Sequence, residues 1–105
     1  MPKFVLAYHG GKTSMSPEEG QKHMADWMQW MESLGDAVVD RGLAVGQSKT
    51  VSAKGVADDG GANPISGFTV LQAENMDAAI EMTRKSPHLA IGGTIEIAQA
   101  MDMEM

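Results

Sequence analysis

Residues 3–8, Lys-Phe-Val-Leu-Ala-Tyr, constrain this chain more than any other segment, because the run is apolar on both of its alternating faces. Phe4, Leu6 and Tyr8 fall on one side and Val5 and Ala7 on the other. A strand of this kind has to be covered twice. His9-Gly10-Gly11 then breaks the run, so the chain opens with one short strand that belongs inside a sheet.

A clearly marked helix start comes next. Ser16-Pro17-Glu18-Glu19 supplies a capping hydroxyl, Pro at the first helical position and Glu three residues after the cap. At 100° per residue, Trp30, His23, Leu34, Trp27, Met31, Met24 and Met28 form one arc, and Gly35 stops the helix. A second strand is expected near residues 37–39, interrupted by Asp40-Arg41-Gly42 and resuming over 43–46. Residues 48–66 read as a long loop with a small hairpin at Lys54-Gly55, and residues 67–73 as a third strand. Asn75 caps a second helix running from 76 to about 85, with Met76, Ala79, Ile80 and Thr83 inward and Pro87 ending it. Thr94 to Gln99 alternates as a half-buried fourth strand.

The resulting order, β-α-β-β-α-β, predicts one α+β domain over residues 1–105, a ferredoxin-like four-stranded antiparallel sheet with both helices on one face. Two helices cover only one side of the first and third strands. A second copy packed sheet to sheet is the simplest cover for the other, giving a homodimer. An RNA-recognition domain shares the strand order, but Gly67-Phe68-Thr69-Val70-Leu71 offers one aromatic and no basic residue for base stacking. With 14 acidic against 8 basic residues and a net charge of −6, nucleic acid and anionic membranes are not expected partners. No segment approaches a membrane span and no basic-then-apolar leader is visible, which points to a cytoplasmic protein. The aromatic share of 5% leaves Met and aliphatic side chains most of the packing.

Tyr8-His9-Gly10-Gly11, Ser16-Pro17-Glu18-Glu19, His23, Asp58 to Pro64, and Ser86-Pro87-His88 through Gly92-Gly93-Thr94-Ile95-Glu96 together resemble the YCII-related family over essentially the whole chain. The resemblance implies a dimeric α+β barrel, a fold shared with muconolactone isomerases and small cofactor-free monooxygenases. It also implies an acid-base pair of a His on the first helix, matched by His23, and an Asp before the Pro that follows the second helix, where this chain has Ser86. The branch named for an Asp-Gly-Pro-Phe motif is matched only at its first two residues, Asp59-Gly60.

The strand order sends His9, His23 and His88 to one end, beside Gly10-Gly11 and Gly92-Gly93, which leave room for a small-molecule ligand. His23, one turn from both Glu19 and Asp26, is the candidate acid or base, oriented by either carboxylate. The alternative is a partly buried structural His. Asp59 is a second carboxylate candidate, against the reading of a solvated Asp-Gly turn. Lys12, Lys49 and Lys54 lie in or near the same loops, either as attractors of an acidic substrate or as ordinary isolated surface lysines. Without Cys or a paired-His spacing, no metal site or cofactor is expected, and the alternating Met101, Met103 and Met105 read as a packing tail. Two functions stand side by side: a cofactor-free isomerase or lyase using His23, and a non-catalytic module that binds a small molecule or a partner. The doubly apolar strands generate the first prediction. Light scattering at micromolar concentration should report twice the 11.2 kDa chain mass, and a well-behaved monomer would refute sheet-to-sheet pairing.

Overall fold

Backbone pairing places the doubly apolar strand where its sequence demands. The structure, a computed structural model, describes residues 1–101. Strand β1 (Lys3–His9) lies between β5 (Ile65–Gln72) and β6 (Thr94–Gln99), and β2 (Val38–Asp40) flanks β5, in the order β2-β5-β1-β6. All three pairings are antiparallel, with Val5 opposite Val70 and Ala98, and Tyr8 opposite Gly67 and Ile95. The fold is therefore mixed α+β on a four-stranded antiparallel sheet.

Helix α1 (Pro17–Leu34) starts at the expected capping box: Ser16 Oγ accepts from the Glu19 amide at 3.1 Å while the Ser16 amide donates to Glu19 Oε1 at 3.3 Å. It packs on the sheet face that carries Phe4, Leu6, Tyr8 and Leu71, placing Trp30 and Met31 among them, with Trp27 and Leu34 at the margin. Helix α2 (Met76–Thr83) buries Ala79 and Thr83 on the same face. The Trp30 indole donates to the Met82 carbonyl at 3.0 Å, fastening the two helices together. Phe4, Leu6 and Leu71 are completely buried, each contributing about 1.5–3 kcal/mol over an exposed position.

Some expected boundaries shift. Met24 and Met28 are 62% and 54% exposed rather than packed, because they lie on the flank of the predicted arc and the two indoles already fill the space between helix and sheet. Helix α2 stops at Thr83, and Pro87 opens a short helix of its own, α3 (Pro87–Ala90), capped by Ser86. The hairpin of the long loop forms as β3 (Thr50–Ser52) and β4 (Gly55–Ala57). Met103 and Met105 lie outside the described residues. No helix among the described residues is long and apolar enough to cross a membrane.

The interruption after β2 matters most for the site. Gly42 turns the chain with φ 73°, and a Cβ there would lie 1.7 Å from the Phe68 carbonyl oxygen, so no side chain fits. The chain then rejoins β5 through Phe68 N–H to the Leu43 carbonyl at 3.1 Å and Val45 N–H to the Ser66 carbonyl at 3.0 Å. The Arg41 carbonyl inside this bulge accepts from Thr69 Oγ1 at 3.1 Å, and Thr69 Oγ1 accepts from the Tyr8 hydroxyl at 2.8 Å.

Burial pushes the Tyr8 phenol up from 10.0 to about 12, against the opposing effect of its hydrogen bond to Thr69. The folded protein therefore holds the phenolic proton more tightly than the unfolded chain, and stability falls as pH rises from 10 towards 12. The loss is at most about 3 kcal/mol. Tyr8 is the only tyrosine, so tyrosinate absorbance reads it directly. Its appearance should coincide with alkaline unfolding, and ionisation near 10 in the folded state would contradict the buried hydrogen bond.

Candidate functional site

Between the N-terminal half of α1, the Gly10-Gly11 break and the bulge after β2 lies a half-enclosed cavity of about 460 Å³. That size suits a small organic ligand. His23 and His88 both line it, together with Tyr8, Gly11, Trp27 and Arg41. The cavity opens where β1 breaks at two glycines of positive φ.

His88 is the better-fixed imidazole. It sits on α3 and is 6% exposed, with its ring 5.2 Å from that of Tyr8 in an edge-on arrangement. Its Nε2 lies 2.9 Å from the His9 carbonyl oxygen, and because a carbonyl only accepts, Nε2 carries the proton. Nδ1 has no hydrogen-bond partner among the described residues. The ring fits because of two glycines: a Cβ on Gly93 would come 2.1 Å from Nε2, and one on Gly11 would come 2.9 Å from Cε1. Gly10 lines the cavity as well, whereas Gly92 turns the backbone with φ 84° and meets no neighbour.

His23 is half-buried and tilted against Trp27 at 5.8 Å. Neither expected carboxylate orients it. Glu19 is bridged by Lys12 at 2.7 Å and Asp26 by Lys22 at 2.9 Å, since a full ammonium charge outcompetes an imidazole for a carboxylate. The Lys12 ammonium, helped by the Ser16 amide, holds the Glu19 carboxyl below its ordinary value.

The other expected residues go elsewhere. The His9 ring points to the opposite sheet face, where Nδ1 donates to the Asn63 carbonyl at 3.0 Å and Nε2 meets Glu96 Oε1 at 3.1 Å. Ser86 is buried as the cap of α3, its Oγ accepting from the His88 amide at 3.2 Å, and it borders an open groove on the far side of α1. It therefore positions His88 through the backbone and stands apart from His23. Asp59 forms a local turn by accepting from the Gly61 amide at 3.0 Å, and Asp58 pairs with Lys49 at 2.6 Å. Both border a separate depression walled by the long loop, and only Ser66 of residues 48–66 reaches the histidine cavity. Arg41 and Ser66 were not legible as site residues, because nothing in a lone Arg before a glycine or a Ser opening a strand marks them. Among the described residues no group of three or more His, Cys, Asp or Glu could hold a metal ion. No protein-family model matches the chain, and no curated protein matches it either.

Side-chain nitrogen NMR should find His88 as the Nε2–H tautomer, with that proton protected from exchange by the His9 carbonyl. A ring protonated on Nδ1 alone would contradict the geometry.

Proposed function

We propose that this chain is a cofactor-free acid-base protein of the YCII-related type, working on a small organic molecule in the cavity shared by His23 and His88. The single observation that carries the reading is His88, whose Nε2–H is held by a backbone carbonyl while Nδ1 is left unengaged beside the cavity. A base so arranged takes a proton from the ligand on Nδ1, becoming an imidazolium that keeps its bond to the His9 carbonyl, and returns that proton at another ligand atom. Such a step is an isomerisation or, with departure of a leaving group, an elimination. His23, half-buried on α1 and bordering the same cavity, serves as the second proton-handling group.

In this reading the sheet is the ferredoxin-like unit of a dimeric α+β barrel. Support comes from the face turned away from both helices, where Val5 is 38% exposed and Ala7, Phe68 and Val70 are only partly covered. A second copy's sheet is the occupant that matches an antiparallel apolar face of this width. The competing function, a binding module without catalysis, draws on the engagement of Glu19 and Asp26 by lysines, which leaves His23 without an orienting carboxylate.

Substitution separates the two roles. His23→Ala should leave the melting temperature within the range of an ordinary surface change, about 0.5 kcal/mol, while abolishing ligand-induced thermal shifts found by screening the wild type. Unfolding would make His23 a core residue, and an intact ligand response would move the site away from it.

A further inference from the structure

We infer that the histidine cavity takes a small organic anion with an apolar body, a carboxylate, whose charge is met by Arg41. This rests on the proposed reading of the cavity as a ligand site, and adds the chemistry of what fills it.

The chain has 14 acidic residues against 8 basic, yet none of the residues lining this cavity is Asp or Glu, while Lys12 and Arg41 both line it. The neighbouring depressions do not share that property. One is bordered by Asp58 and Asp59, and the groove across α1 by Asp26. An anion repelled by the surface at large therefore meets no carboxylate in the walls of this cavity. The two cations there are not equivalent. Lys12 is already answered by Glu19 at 2.7 Å, whereas Arg41 has no carboxylate partner among the described residues.

The base of the Arg41 side chain is fixed. Its own carbonyl is held by Thr69, and the following Gly42 is wedged against the Phe68 carbonyl, so the stem departs from a rigid point. A second polar residue stands nearby: Ser66 borders both this cavity and the neighbouring depression, and its hydroxyl is sealed from solvent without a hydrogen-bond partner among the described residues, a cost in the unliganded fold. The remaining wall is apolar and aromatic, with Trp27, Met24 and Ile91 bordering the same space. A planar guanidinium matches a carboxylate in two parallel hydrogen bonds. A phosphate dianion needs more donors than one unpaired guanidinium supplies. The Lys12 amide, at the end of the glycine turn, is already given to the Ile91 carbonyl at 2.9 Å.

The test uses phenylacetate and naphthylacetate, their primary amides and inorganic phosphate, read by tryptophan fluorescence and thermal shift. Trp27 borders the cavity and reports occupancy directly. Each carboxylate should bind at least about tenfold more tightly than its amide. Arg41→Gln should erase that preference while leaving amide binding unchanged, and Arg41→Lys should restore part of it. Inorganic phosphate should fail to displace naphthylacetate. If amides bind as tightly as carboxylates, or Arg41→Gln leaves the preference intact in a protein of unchanged melting temperature, the inference fails and the cavity remains a ligand site. Phosphate competing as well as the carboxylates would also overturn it. If neither member of either pair binds, the ligand-site reading fails with it.

Discussion

The Tyr8 hydroxyl holds this structure together at the point where fold becomes site. Its ring is core, packed edge-on against Trp27 at 5.1 Å, while its oxygen begins a relay through Thr69 to the Arg41 carbonyl. A buried hydroxyl without a partner would cost about 1–3 kcal/mol, so the relay is an obligation of burying Tyr8 at all. It ties β1, β5 and the bulge after β2 into one unit. The same ring packs edge-on against His88 at 5.2 Å, so one residue touches both the imidazole and, through Thr69, the backbone of Arg41.

Electrostatics sort the surface into two regimes. Lys12, Lys22, Lys49 and Arg84 each meet a carboxylate at the surface, pairs that contribute little to stability because water screens them and holding long side chains costs entropy. Two of them act beside the site: Lys12 and Lys22 engage Glu19 and Asp26, the carboxylates one turn either side of His23. What remains along the cavity is two imidazoles, an arginine with no carboxylate partner among the described residues, and apolar wall. Selectivity there arises from which charges are missing as much as from those present.

Much of the scaffold was legible in the residues. Ser16 and Glu19 announced the helix start, Phe4, Leu6 and Tyr8 the buried strand face, and Asp40-Arg41-Gly42 the break in the second strand, because each acts through local geometry that sequence spacing encodes. The site was less legible. His23 and His88 do converge, but His9 faces away, since one residue along a strand reverses the direction of a side chain. Ser86 and Asp59 stand outside the cavity for a related reason, each being absorbed by its own backbone turn. Helix spacing makes Lys22 and Asp26 neighbours at i,i+4, but nothing in it brings Lys12, in the loop before α1, to Glu19, so that half of the pairing around His23 could only be seen in three dimensions.

The partner of His88 is a carbonyl of the main chain, and every amino acid at position 9 would offer the same oxygen. The tautomer is therefore inherited with the fold and is invisible to any comparison that looks for a partner side chain drifting in step with the histidine. What such a lineage must keep is empty space, the missing Cβ atoms at Gly11 and Gly93. A descendant could exchange most of the residues around the ring and still present the same nitrogen, yet one added methyl at position 93 would turn the imidazole out of its seat.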